Sequence, residues 1–257
     1  MVTLVTISFS HYCEKARWAL DRAGVVYTEA AYVPGTHLFG TVLRGGKSTP
    51  LLVVPRGRVL TDSTDIVRYA DEASPGCLLP DVLSEAPLRR EVDELEELFD
   101  EKLGSPVRVL VYDALLESGY PFDALVRETT TGVHRALAPV LGFAVPRLVR
   151  RGLGIHARGV ARAIPRVEAV LQQVEARLAD GRRYLAGDRF TAADLTFASL
   201  LAPMVGPPEQ PVTGKVSSLE LIEPFMRETR ARPAGLFALR LYTEERARGR
   251  DVTARGA

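Results

Sequence analysis

The feature that most constrains this chain is a junction near its start. An apolar run from Val2 to Phe9 reads as a buried strand, and Ser10-His11-Tyr12-Cys13-Glu14-Lys15-Ala16-Arg17 follows at once. From Tyr12 the pattern takes a helical period, with Tyr12, Ala16, Ala19, Leu20 and Ala23 on one face. A strand thus delivers Ser10 to a helix N-terminus, where its hydroxyl can accept from an amide that lacks a partner within the helix. The free amides and the macrodipole there favour an anion. Cys13 falls in the same turn, where a thiol pKa can be lowered. A Ser-x-x-Cys so placed suits a site that handles thiols.

The next sixty residues restrict the fold further. Gly24 suits the left-handed end of the first helix. Val25 to Val33 is rich in β-branched and aromatic residues and reads as a second strand. Residues 34–47 form a loop with room for a short helical turn. Leu51 to Val54 and Arg58 to Leu60 are short strands, with turn residues Pro55-Arg56-Gly57 between them. A second helix begins after Asp62 and carries Ile66, Val67, Tyr69 and Ala70. The order is β-α-β and then β-β-α. A parallel, right-handed crossover followed by an antiparallel hairpin gives a small mixed sheet with helices on its faces, a thioredoxin-like arrangement.

Ser74 to Pro80 reads as a linker, with Cys77 a small apolar filler. From Ala86 the chain is helical almost throughout. Leu88, Val92, Leu95, Leu98, Phe99 and Leu103 make one apolar stripe, and the acids between Glu91 and Glu101 are expected on a solvated face. Helical pattern continues over Pro106 to Ser118 and Phe122 to Leu137; Leu153 to Arg158 is rich in glycine and undecided. A long helix from Val160 to Ala179 ends at Gly181, and a last one runs from Ala234 to Ala247. The fold class is therefore an α/β thioredoxin-like N-terminal domain, residues 1–80, followed by an all-α helical-bundle domain, residues 86–257.

Composition excludes several function classes. The 257 residues are 46% hydrophobic with a net charge of +1, which gives no electrostatic case for nucleic acid. Arg147, Arg150, Arg151, Arg158 and Arg162 cluster in sequence but lack interleaved aromatics. Two cysteines make no disulfide framework, so a reducing, cytoplasmic setting is expected. The first residues lack the pattern of a signal peptide. The weakly charged stretch from Ala136 to Val149 is too short to span a bilayer. His11, His37, His134 and His156 show no metal-ligand spacing with the cysteines, so no metal is expected. Beside the junction, His11 is open to two readings: a group that tunes a thiol, or a solvent-facing side chain.

Four stretches, in order, resemble the cytosolic glutathione S-transferase superfamily of bacterial type. The first is Ser10 to Arg17, and the resemblance implies that Ser10 donates to the glutathione sulfur and holds it as thiolate. Cys13 falls where redox relatives carry the second cysteine of their motif, so either Ser10 activates a bound thiol or Cys13 forms a mixed disulfide. The second is Lys47-Ser48-Thr49-Pro50-Leu51. It implies a cis Pro50, with the backbone of Thr49 turned to the cysteinyl part of glutathione and Lys47 near its glycyl carboxylate. In the third, Leu60 to Ile66, Ser63 would take the γ-glutamyl carboxylate and Asp62 support the ammonium group. The fourth is Leu185 to Leu195, where Thr191 and Asp194 have capping-box spacing; the family's counterpart serves folding.

The resemblance implies a transferase that joins the glutathione thiolate to a small hydrophobic electrophile held between the domains, with Tyr12 and Tyr112 lining the pocket. Glutathione is then a co-substrate and the working form a homodimer. Two other readings are a glutathione-dependent thiol-disulfide or dehalogenating reductase using Cys13, and a non-catalytic binding or scaffold protein. The span from Glu101 to Arg158 is longer than the resemblance calls for.

Overall fold

The sheet is built around the apolar run that opens the chain. In the computed structural model, which describes residues 1–34, 36–119, 121–129, 135–210 and 223–246, Val2–Ile7 is strand β1. It pairs in parallel with β2, Tyr27–Tyr32, and antiparallel with β3, Leu51–Val53, which in turn pairs antiparallel with β4, Val59–Leu60. The order β2-β1-β3-β4 makes a four-stranded mixed sheet. Register sets Leu4 against Leu52 and Val5 against Leu51, and all four are fully buried. The hairpin turn takes left-handed backbone at Arg56 and Gly57, with φ 70° and 81°.

Helix α1, His11–Arg22, packs against α3, Ser63–Ala73, while the short α2, His37–Thr41, lies against β1 and β2. Gly24 ends the α1 turn at φ 69°. Helix α4, Ala86–Phe99, runs through a π-turn, Asp100–Gly104, into α5, Ser105–Glu117. Pro106 sits in the first turn of α5, where a missing N–H costs least. Helix α6 is Phe122–Thr129 and α7 is Ala138–Gly152. The sequence pattern does not mark α7, because Pro139 and Pro146 break its helical signal. The helical reading through 130–134, including His134, and the end of the last helix at Ala247 lie outside the described residues.

Helix α8, Ala157–Leu178, ends before Gly181 at φ 81°. Helix α9, Ala192–Val205, is the centre of the helical part. Its residues are buried on every side except at Pro203, and it packs on α1, α4 and α5. The start of α9 is held by the carboxylate of Asp194, which accepts from the amides of Thr191 (2.9 Å) and Leu185 (2.8 Å). Helices α10, Glu223–Ala231, and α11, Pro233–Leu241, follow, with a final π-turn at Tyr242–Arg246. One continuous core joins Leu4, Trp18 and Leu20 to Phe99, Phe197 and Leu241. A smaller core under α6 and α7 gathers Val33, Leu115, Phe122, Val145 and Val149, and Phe9 and Tyr112 pack against it. The added helices therefore roof the region above the β1–α1 junction. Among the described residues no helix is long and apolar enough to cross a membrane.

Candidate functional site

The β1–α1 junction turns tightly because the Ser10 amide donates to the Ile7 carbonyl at 3.0 Å. Ser10 caps α1 from an extended conformation, and its hydroxyl accepts from the Cys13 amide at a long 3.4 Å. The residue is only partly buried. Cys13 lies beneath it and is fully buried. Its Sγ accepts from the Ile7 amide at 3.4 Å, and the Ser10 and Thr49 side chains are within hydrogen-bonding reach of it. Burial pushes the Cys13 thiol up, against the opposing pull of Arg17 and of these contacts. The expectation of a lowered thiol pKa is thereby reversed. The first helical turn offers an anion site only at its open end, and Cys13 points the other way, into the packed interior.

Cys13 brings the first two motifs together, since it sits between Ser10 and Thr49. The Thr49–Pro50 peptide is cis. Pro50 is buried, Thr49 partly buried, and Lys47 exposed with no ion pair among the described residues. The third motif is tied in by Lys15. Asp62 is the cap of α3, its Oδ1 accepting from the Thr64 amide at 2.8 Å, and Ser63 is the buried first residue of that helix. Lys15 Nζ donates to Thr64 Oγ1 (3.0 Å) and to Asp100 Oδ2 (2.6 Å), and lies 2.9 Å from Glu96 Oε1. The acids of α4 are thus not all on a solvated face, as the sequence suggested. Glu96 and Asp100, four residues apart, turn inward to a lysine that is itself fully buried.

The facing wall comes from the π-turn and α5. Gly104, Arg108 and Tyr112 recur every four residues and so share one side of the helix, the side that meets α1. The His11 ring donates from Nε2 to the Gly104 carbonyl at 3.0 Å. His11 is buried, and burial, aided by the Arg108 charge, brings its pKa down to about 3. It is therefore a neutral interdomain strut, which closes the solvent-facing alternative. The Tyr12 hydroxyl donates to the Asp100 carbonyl at 3.2 Å, and a Cβ at Gly104 would lie 2.3 Å from that hydroxyl oxygen. Only glycine fits there. Burial and Asp100 raise Tyr12 to about 12. The guanidinium carbon of Arg108 stands 5.9 Å from the Tyr12 ring centre, and Tyr112 meets Phe9 edge to face at 6.3 Å.

Ser10 and Thr49 thus meet at Cys13, Ser63 is joined to α1 through Thr64 and Lys15, and Tyr12 and Tyr112 lie on the side that faces Arg108 and Phe9. Sequence reasoning missed Arg108, Glu96 and Asp100. The fourfold spacing of Gly104, Arg108 and Tyr112 was the available signal for the first. Among the described residues no group of three or more His, Cys, Asp or Glu side chains could hold a metal ion.

Residues 4–77 match the family described as glutathione S-transferase, N-terminal domain, and residues 157–213 match glutathione S-transferase, C-terminal domain. No curated protein is matched by sequence. Among solved structures, the chain is similar to a glutathione S-transferase from Methylobacillus flagellatus KT with GSH bound, at TM-score 0.62 and 19% identity over 98% of this chain and 99% of that one. It is also similar to the beta-etherase LigF from Sphingobium sp. strain SYK-6, at TM-score 0.57 and 16% identity over 93% and 98%. A third likeness is to glutathione transferase F7 from Populus trichocarpa, at TM-score 0.54 and 16% identity over 93% and 98%. At such identities the likeness is one of fold: a small mixed sheet with its helices, followed by a helical domain. With an N-terminal and a C-terminal domain of the one kind, in order and together spanning about half of its length, the chain belongs to the glutathione S-transferase superfamily.

Proposed function

We propose that the protein is a glutathione transferase in which Ser10 activates the glutathione sulfur for attack on a small hydrophobic electrophile. The observation that carries this reading is the Ser10 hydroxyl itself. It stands at a helix N-terminus on a partly exposed residue, with a long bond from the Cys13 amide and the Cys13 thiol within reach. A sulfur placed there can accept from the hydroxyl and gain from the helix end, both of which favour thiolate over thiol. The backbone of Thr49 is a strand-like partner for the cysteinyl unit, Lys47 a cation for the glycyl carboxylate, and Ser63 with Asp62 a site for the γ-glutamyl end. The thiolate forms a carbon–sulfur bond while the electrophile's leaving group departs with the bonding pair. The gains are a lowered thiol pKa and the alignment of two reactants.

The reading with Cys13 as nucleophile has less support, because that thiol is fully buried and its pKa raised. The domains divide at residues 80 and 86 in this proposal, and the working form is a cytoplasmic homodimer; the family resemblance and the two free cysteines are what support it. Calorimetry with glutathione is the test. Saturable binding to the wild type, weakened about tenfold or more in Ser63→Ala, is expected from the loss of a hydrogen bond to a charged group. Conjugation of an aryl chloride should fall at least tenfold in Ser10→Ala and survive in Cys13→Ala. The reverse pattern of the last two variants would transfer the role to Cys13.

A further inference from the structure

Most buried or half-buried arginines in this protein have a carboxylate partner: Arg17 has Glu29, Arg22 has Glu245, Arg232 has Glu175 and Arg246 has Glu14. Arg108 is different. It is partly buried on α5, makes no ion pair or hydrogen bond among the described residues, and its Nε is buried without an acceptor. Leaving a guanidinium donor desolvated and unpaired is costly. None of the acids nearest by sequence pairs with it: Glu101 meets Lys102. Asp100 is engaged by Lys15 and Thr64, and Asp113 lines a groove with Glu117 and His156. The neighbours of Arg108 are instead the Tyr12 ring, which its guanidinium carbon overlies at 5.9 Å, and, one turn along the helix on either side, Gly104 and Tyr112.

On the transferase reading, that position lies on the side expected to take the electrophile. Tyr112 contacts Phe9, the residue before Ser10. The charge of Arg108 is felt at His11, Tyr12 and Tyr112, whereas the arginine felt at the Cys13 thiol is Arg17. The cation therefore sits along the Tyr12 and Tyr112 side chains.

We propose that Arg108 receives an anionic group of the electrophile, so that the second substrate is an acid: an apolar, aromatic-stacking body with a carboxylate, or another oxyanion of that geometry, set apart from the reacting carbon. A planar guanidinium matches a carboxylate with two parallel N–H donors, and the Tyr12 and Tyr112 rings hold the apolar body. This rests on the transferase reading, and it names which class of electrophile that site selects.

The test uses 4-chloro-3-nitrobenzoate and its neutral amide as matched electrophiles with the full-length protein. The wild type should favour the acid in kcat/KM. Arg108→Gln should lose about 10–100-fold on the acid, the worth of a charge-assisted hydrogen bond, and little on the amide. Arg108→Lys should recover part of the loss, which a folding defect would not allow. Direct calorimetry of 4-chloro-3-nitrobenzoate without glutathione separates the two claims: it should bind wild type and not Arg108→Gln even if conjugation fails. An acid-to-amide ratio that Arg108→Gln leaves unchanged, or benzoate binding equal in both proteins, overturns the proposal.

Discussion

His11 and Cys13 sit two residues apart in one helical turn, and the sequence treats them as equals. The strand-to-helix switch at Ser10 is written in the change of apolar period from continuous to helical, so the placement of both was legible. Their protonation was not, because it depends on what α1 is pressed against. His11 meets the π-turn of the helical domain and Cys13 meets the underside of β1. His11 gives a pH prediction with a definite sign. Its folded pKa of about 3 lies below the ordinary 6.5, so in this range the unfolded chain binds a proton that the fold refuses. Stability from this group is complete above pH 6.5 and is lost as pH falls toward 3, at about 1.4 kcal/mol per pH unit. Urea unfolding between pH 7 and 5 should show a steeper loss for wild type than for His11→Gln. Parallel slopes would mean that the ring charges freely in the fold.

At the scale of elements, the apolar stripe of α4 was read from the sequence, and Val92, Leu95 and Phe99 are indeed buried. The acid face was read less well. A stripe tells which side of a helix packs, but not whether a cation from another element reaches its flank. Here Lys15 on α1 does so, with a side chain of 0% exposure. Two carboxylates share it, and burial raises the pKa of Glu96 despite that cation. Removing the cation leaves both acids facing each other in a dry interface. Lys15→Met should therefore destabilise by about 3–5 kcal/mol. Adding Glu96→Gln and Asp100→Asn to it should restore part of the loss, since no buried charge then goes unpaired. A Lys15→Met protein as stable as wild type by denaturant titration would show that the lysine is dispensable. The same pairing carries the third motif, because Lys15 also holds Thr64 beside Ser63. The mutant is accordingly expected to bind glutathione less tightly than its loss of stability alone explains.

Across the whole molecule, residues more than two hundred apart in sequence close on one helix. Arg246 reaches α1 to donate to Glu14 at 2.8 Å and Asp21 at 2.7 Å, and its side chain is 1% exposed. Arg22 returns the contact to Glu245 at 3.0 Å. Trp18, the single tryptophan, is fully buried between Phe190 (ring centres 5.5 Å apart) and Tyr242 (4.7 Å). Pairings between residues more than two hundred apart leave no local pattern, which is why two domains were legible from composition and period while their interlock was not. The interlock has a consequence for folding. Residues 1–80 alone would expose the Trp18 face of α1 and leave Glu14 and Asp21 without Arg246. The apolar surface that α9 covers on α1 would also meet water. A small sheet of four short strands has little core of its own to offset this. The 1–80 fragment is thus expected to lack a cooperative unfolding transition, with the tryptophan emission of an indole in water. The full-length protein should unfold in one step, with tryptophan emission and far-ultraviolet circular dichroism tracing the same urea curve. A fragment that unfolds cooperatively with a shielded tryptophan, or two separated transitions in the full chain, would mean that the sheet domain stands without the helices that grip it.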